Sequence, residues 1–304
     1  MKSIFIDCNH QLAPIWTQVH TADDPPVTVN TAPYAIADLP KLLAGYDIAL
    51  DDHSPMPTEL IAQCPQLKHI VFLGTGAASY MSIPELKAHG VTVHTIRGYG
   101  DTAVAEHAIA LMFAAARDIA RMERGLRGGA WKPLEGIQLL GRTLGIIGLG
   151  GIGTEVARIG RGIGMNVIAW NRTPRPEADI RQVDLDTLLA TSDVVSMHLT
   201  LGEETRGFLN RERIARMKPG ALFVNTARGA LVDEPALIEA LRSGHIRHAS
   251  LDVYHNEPLT ADHPFTRMDN VTLSAHAAFR TLEASMTLLR RALDIVKSIR
   301  AENR

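Results

Sequence analysis

Short apolar runs at residues 3–6, 47–50, 69–72 and 91–94 alternate with helix-compatible segments such as 39–44 and 58–63. A βα alternation of this kind predicts a small parallel sheet covered by helices. Residues 21–33, rich in Thr, Pro and Asp, read as irregular. From about 102 to 127, Val104, Ala108, Leu111, Met112, Ala115 and Ile119 recur at helical spacing, with Asp101 or Thr102 as the N-cap. That segment is apolar around most of its circumference and needs burial on more than one side, which suits an element joining domains or protomers. From residue 143 the alternation resumes. Strands are expected at 143–147, 166–170, 194–198, 221–225, 248–252 and 271–274, making a six-stranded doubly wound sheet. A helix over 280–304, carrying Leu288, Leu289, Ala292, Leu293, Ile295 and Val296, returns to the first sheet.

Composition narrows the class. At 304 residues the chain has room for two domains. A net charge of −2 gives no support for binding nucleic acid or an anionic membrane. No apolar stretch approaches spanning length, and the run before Asp7 is too short for a signal peptide. Cys8 and Cys64 lack CxxC spacing and read as free thiols, which places the chain in the cytoplasm. No metal-ligand spacing occurs.

Chemistry begins at Gly148-Leu-Gly150-Gly151-Ile152-Gly153, directly after the apolar run Thr143-Leu-Gly-Ile-Ile147. A strand, a glycine turn and a helix in this order make a dinucleotide site. The first glycine permits the turn, the second lets backbone approach the pyrophosphate, and the third lets helix and strand pack closely. The helix N-terminus offers N–H groups to the phosphates. Selectivity is set at the end of the second strand, where an acidic residue takes the ribose 2′-OH. Here Asn171 stands there, followed by Arg172, Thr173 and Arg175. A neutral Asn with cations beside it fits a 2′-phosphate. NADP is therefore the preferred cofactor, with NAD as the second choice.

Ligands of open α/β sheets bind beyond the carboxyl ends of the strands. Those ends carry Asn225-Thr226-Ala227-Arg228-Gly229, Asp252 to Glu257-Pro258, and His276. An arginine fork matches a carboxylate, a histidine exchanges a proton near neutral pH, and a glutamate orients that ring and favours its charged form. With a nicotinamide beside them, these groups describe hydride transfer at the carbon next to a carboxylate. Thr226 and Ala227 border the same cofactor. His198 either caps its strand or approaches the cofactor ribose. His107, inside the apolar helix, reads as structural. His53 and Tyr80 stand near a substrate cleft in the first domain, with contact left open.

Asn225-Thr-Ala-Arg-Gly-Ala-Leu-Val-Asp-Glu-Pro-Ala-Leu237 resembles the signature of the D-isomer-specific 2-hydroxyacid dehydrogenases. So do Leu251-Asp-Val-Tyr-His-Asn-Glu-Pro258, Val104-Ala-Glu-His107 and Asp193-Val-Val-Ser-Met-His-Leu199, in the family's order, from about residue 70 to 278. The resemblance implies a doubly wound Rossmann nucleotide domain over 99–278. It also implies a smaller flavodoxin-like α/β substrate domain, discontinuous over 1–98 and 279–304. By resemblance, Arg228 binds the substrate carboxylate and polarises the keto oxygen, and Glu257 pairs with the proton donor His276. Asp252 faces the nicotinamide carboxamide, and Gly76 and Ala77 complete the carboxylate site. A homodimer through the helix near 102–127 is implied as well.

The chain departs from the pattern in three places. Leu73-Gly-Thr-Gly-Ala-Ala-Ser-Tyr-Met-Ser-Ile83 replaces a Gly-Val-Asp-x-Ile-Asp pattern, Ser274-Ala-His276 replaces Thr-Pro-His, and Thr200 stands where proline is common. The first change bears on which substrate fits. The expected activity is reduction of a small 2-oxo acid, glyoxylate or hydroxypyruvate, to the D-2-hydroxy acid. The alternatives are a nicotinamide-sensing, corepressor-like binding protein and a formate- or phosphite-type dehydrogenase. Glu257 argues against the formate type, which pairs its histidine with glutamine.

Overall fold

The computed structural model describes residues 1–175 and 179–302. The chain forms two compact units, Met1–Gly100 with Arg280–Arg304, and Asp101–Phe279. No helix among the described residues is long and apolar enough to cross a membrane.

The first unit holds five parallel strands: β1 (Ser3–Phe5), β2 (Val27–Val29), β3 (Ile48–Asp51), β4 (His69–Phe72) and β5 (Thr92–Thr95). Their order is β2-β1-β3-β4-β5, the doubly wound order with one switch point beside the first strand. β3 is buried along its whole length, as a strand covered on both faces must be. One face packs under Leu12–Val19 and the helix Leu282–Glu302, through Leu288, Leu289, Ala292, Leu293 and Val296. Strand β2 corrects the irregular reading of 21–33. Its Val-Thr-Val alternation pairs with β1, Ser3 opposite Val27 and Phe5 opposite Val29. Pro25 and Pro26 lack the N–H groups a ladder needs, so this edge strand starts only after them. The helices expected at 39–44 and 58–63 are single turns, Leu39–Leu42 and Thr58–Ile61.

The second unit holds seven parallel strands among the described residues: β6 (Thr143–Ile147), β7 (Asn166–Trp170), β8 (Arg181–Gln182), β9 (Val194–Met197), β10 (Ala221–Asn225), β11 (Ile246–Leu251) and β12 (Val271–Leu273). They run β12-β11-β10-β9-β6-β7-β8. The two-residue β8 is the strand that the six-stranded expectation omits. The order reverses between β6 and β9, which opens a crevice at their carboxyl ends.

The long helix expected over 102–127 is two helices, Asp101–Ala116 and Ile119–Arg127. Asp101 opens the first helix as a helical residue rather than capping it from outside. Asp118 adopts the left-handed conformation, φ 51°, and turns the chain. Ala116 O then accepts from the Ile137 N–H at 2.8 Å instead of continuing the helix. The Asp118 carboxylate lies 3.5 Å from buried His248 and 3.7 Å from Arg247, which anchors the break. Asp101–Ala116 is buried through Ala105, Ala108, Leu111, Met112 and Ala115.

In the first unit the Asp24 carboxylate is sealed from solvent. It takes Arg290 through both guanidinium nitrogens at 2.9 and 2.6 Å, Lys297 at 2.7 Å and the Thr21 N–H at 2.8 Å. The Arg290 hydrogen bonds, with Lys297 and Thr21, outweigh burial and hold this carboxyl far below the usual range. Asp24→Asn is therefore expected to destabilise the first unit by about 2–3 kcal/mol near neutral pH, since Arg290 and Lys297 are themselves partly exposed. A depressed carboxyl stabilises above its unfolded pKa of about 4 and loses that contribution as pH falls below it. Denaturant unfolding at several pH values checks this: the gap between wild type and variant should shrink on acidification.

Candidate active site

The glycine turn is built by close approach. Gly148 follows β6 at φ +102°, and a Cβ there would lie 2.7 Å from the His198 carbonyl at the end of β9. A Cβ on Gly153 would lie 2.0 Å from the Gly148 carbonyl, so helix Gly151–Gly162 presses on the turn at a distance only glycine allows. Gly150, the N-cap, has nothing within 4 Å of a built Cβ and faces open space. The Asp101 carboxylate rests against Gly151, an acidic group at a helix N-terminus. Ile152 is half-buried in the first turn of the helix and packs on the core beneath.

Asn171 ties this turn to the end of β7. Its Oδ1 accepts the Leu149 N–H at 3.0 Å, and its Nδ2 donates to the Thr173 carbonyl at 2.6 Å. Arg175 turns back, donating to the Leu149 carbonyl at 2.9 Å, while Gln182 of β8 bonds the Arg175 backbone twice. Arg172 points outward, three-quarters exposed, and meets Glu204 at 2.5 Å. Nothing in the sequence pattern singles out Glu204. Its only signal is the acidic pair Glu203-Glu204 a few residues beyond β9. His198 is half-buried, with Nε2 2.8 Å from the Ser196 hydroxyl, and burial pushes its imidazole down to about 4.

At the end of β10, Asn225 folds the next residues over itself. Its Oδ1 accepts the Ala227 N–H at 2.9 Å and its Nδ2 donates to the Arg228 carbonyl at 3.0 Å. Arg228 is half-buried, and Gly229 lies so close to Tyr254 that a Cβ would stand 2.0 Å from its carbonyl carbon. The Thr226 hydroxyl is buried and has no hydrogen-bond partner among the described residues.

His276 Nδ1 and Glu257 Oε2 are 2.7 Å apart. The other Glu257 oxygen accepts the Tyr254 N–H at 2.9 Å. Burial alone would raise this carboxyl, but the His276 hydrogen bond, the Tyr254 N–H and the charges of His276 and Arg228 together bring it below its ordinary value. Arg228, Glu257 and His276 are thus brought together. His276 itself is left-handed, φ 49°. Its turn is clamped by Asp252, whose Oδ1 accepts from the Ser274 hydroxyl at 2.6 Å and the Ala277 N–H at 2.9 Å, and whose Oδ2 accepts from the Ala278 N–H at 3.0 Å. His107 meets the same Ser274 hydroxyl at 3.0 Å.

Asp252 is fully buried, and three donors from the 274–278 turn satisfy its carboxylate. Ser274 is the residue that completes the clamp, and its signal is the serine standing in place of the common threonine. Gly76 and Ala77 belong to the first unit, where Gly76 caps the short turn Ala77–Ser79. In that unit His53 lies edge-on to Phe72 and Tyr80, with ring centroids 5.8 and 5.2 Å away, and 2.9 Å from Asp52.

The open face at Gly150, the glycine-only contacts at Gly148 and Gly153, and the unanswered Thr226 hydroxyl fit a bound dinucleotide. Comparison with known proteins agrees with this chemistry. Residues 109–278 match the family described as D-isomer specific 2-hydroxyacid dehydrogenase, NAD binding domain. A hydroxypyruvate reductase of Thermotoga maritima is 40% identical over 254 residues, covering 81% of this chain and 82% of its own. A D-3-phosphoglycerate dehydrogenase of Archaeoglobus fulgidus is 38% identical over 259 residues, covering 83% of this chain. This chain spans about half of that dehydrogenase, 48% of its length. Among solved structures, an acyclic imino acid reductase in complex with NADPH and D-Arg superposes with a TM-score of 0.87 at 28% identity, covering 99% of this chain and 98% of its own.

Proposed function

Because the chain belongs to the D-isomer specific 2-hydroxyacid dehydrogenase family, we propose that it reduces a small 2-oxo acid to the D-2-hydroxy acid. Glyoxylate and hydroxypyruvate are the substrates of choice. The observation that carries this reading is the 2.7 Å His276–Glu257 pair within the field of Arg228, beyond the carboxyl ends of the strands. When bound, a reduced nicotinamide supplies the hydride. The chain's own residues do the rest. Arg228 offers two parallel N–H donors to the substrate carboxylate and polarises the keto oxygen. Glu257 engages Nδ1 of His276, which leaves Nε2 to hold the proton and deliver it to the developing alkoxide. Asp252 acts as a positioning residue, keeping the His276 turn in place. Gly148, Gly150, Gly151 and Gly153 hold the pyrophosphate, and Thr226 and Ala227 lie beside the cofactor.

Mixing the protein with glyoxylate or hydroxypyruvate and NADPH should consume the cofactor, followed as the loss of the near-ultraviolet absorbance of the reduced nicotinamide. Arg228→Ala should lower kcat/KM by about 3–4 kcal/mol, roughly several hundredfold. Reduction takes up a proton, so it should slow as pH rises while oxidation of the hydroxy acid improves. Near-normal kcat/KM in the variant would overturn the Arg228 assignment. Tight NADPH binding without turnover would favour the sensor reading.

The proposal includes NADPH as the preferred cofactor, with NADH accepted. Arg172 and Thr173 take the 2′-phosphate, and Asn171 adds no opposing charge. The Arg172–Glu204 pair is exposed on both sides and weak, so a phosphate dianion displaces Glu204. Arg172→Ala should therefore cost NADPH about 1.5–3 kcal/mol of affinity and leave NADH nearly unchanged, measured as Kd by fluorescence titration. Equal losses for both cofactors would sink this assignment.

The proposal also includes a homodimer through the helices near 102–127. Phe113, Ile119, Leu126 and Leu140 are exposed, and Trp131 is 88% exposed. Large apolar side chains exposed to water are candidates for an association surface. Sedimentation should find a dimer at micromolar concentration, and Leu126→Glu with Trp131→Glu should shift it to monomer. A monomeric wild type would refute this interface.

A further inference from the structure

His107 stands in the first half of the helix Asp101–Ala116, with its side chain 27% exposed. Its Nε2 lies 3.0 Å from the Ser274 hydroxyl, 167 positions along the chain, and 3.5 Å from Asp252 Oδ1. Ser274 Oγ is in turn 2.6 Å from the same Asp252 oxygen. All three residues belong to the second unit. The helix therefore meets the turn that carries His276 through two side chains.

The direction of each bond follows from the charge of Asp252. Burial alone would raise its carboxyl, but the bonds from His107, Ser274, Ala277 and Ala278 bring it below its ordinary value. An ionised carboxylate only accepts, so the Ser274 hydroxyl donates its one proton to Oδ1. The Ser274 oxygen is left as an acceptor, and the group that faces it is His107 Nε2. His107 must then carry a hydrogen on Nε2, whether its ring is neutral or charged. The donors run one way, from His107 through Ser274 to Asp252.

The end of that relay is strained. His276 is left-handed at φ 49°, a conformation that a non-glycine residue keeps only where its surroundings over-determine it. Asp252 supplies the constraint from both of its ends. Its carboxylate takes the Ala277 and Ala278 N–H groups, and its backbone carbonyl accepts the His276 N–H at 2.8 Å. A serine side chain has several staggered rotamers, so its hydroxyl holds one direction only when proton and lone pair are both engaged.

We propose that His107 is a positioning residue for the proton donor. By donating to Ser274 Oγ it aims that hydroxyl at Asp252, and so keeps the His276 ring against Glu257. The kinetic consequence rests on the reductase reading, whereas the placement of the ring does not.

The experiment uses the full chain and the variants His107→Ala, His107→Gln and Ser274→Ala. Glutamine offers an amide N–H at the reach of the imidazole Nε2. One readout is the Cε1–H resonance of the His276 ring by NMR, assigned by its loss in His276→Asn. The other is steady-state reduction of glyoxylate or hydroxypyruvate with NADPH. In His107→Ala the His276 resonance should shift or split, and kcat should fall roughly tenfold while KM and the NADPH Kd stay within about twofold. His107→Gln should return the resonance to its wild-type position and kcat to within about threefold. Ser274→Ala should reproduce the His107→Ala defect, and the double variant should be no worse than either single one, since the two side chains act as one relay. Melting temperatures show which variants fold, and should His107→Ala fail to fold, Ser274→Ala and His107→Gln carry the test. An unmoved His276 resonance in folded His107→Ala and Ser274→Ala would overturn the proposal, as would a His107→Gln variant no better than His107→Ala. A wild type without turnover would instead sink the reductase reading, and the resonance would still decide the role of His107.

Discussion

A carboxylate sealed from water must have its lone pairs answered by donors, and Asp252 imposes that demand beneath the site. It is met by the Ser274 hydroxyl and by the N–H groups of Ala277 and Ala278, all on one turn. Those bonds fix a backbone path that holds His276 in a left-handed conformation, which costs a non-glycine residue about 1–2 kcal/mol. The ring then meets Glu257, which the Tyr254 N–H already holds from the other side. The His276–Glu257 pair thus takes its position from a carboxylate sealed from solvent.

The same logic of enforced proximity runs through the glycine turn. Gly148 and Gly153 are compressed against backbone that no side chain could tolerate, so strand, turn and helix form one rigid piece. Asn171 and Gln182 extend that piece sideways by bonding the segment after β7. At its outer edge Arg172 and Glu204 meet in water.

The parts of this architecture legible in the sequence are those encoded locally. The glycine spacing after an apolar run, and the Arg228, Glu257 and His276 blocks at successive strand ends, each lie within a few residues and announce themselves. The parts that escaped depend on distant partners. The turn that holds the Asp252 carboxylate, at 274–278, lies more than twenty residues on and is not signalled at Asp252 itself. Arg172 reads as a free cation because Glu204 lies 32 positions away. The helix break at Asp118 leaves the apolar periodicity almost undisturbed, since one left-handed residue redirects the chain without changing its composition. Strand β8, two residues long, carries no periodicity to read.

The helix Leu282–Glu302 supplies one face of the first unit's core and the guanidinium that holds Asp24, yet it lies beyond the whole second unit along the chain. During synthesis the ribosome delivers residues 1–100 before the second unit and this helix after it. The second unit, contiguous in sequence, has every strand it needs before that helix emerges. The first unit waits with Leu12, Trp16 and Val19 uncovered until it does. The order of completion on the ribosome is therefore the reverse of the order of translation, and the interval of exposure is set by the time taken to make the intervening 179 residues.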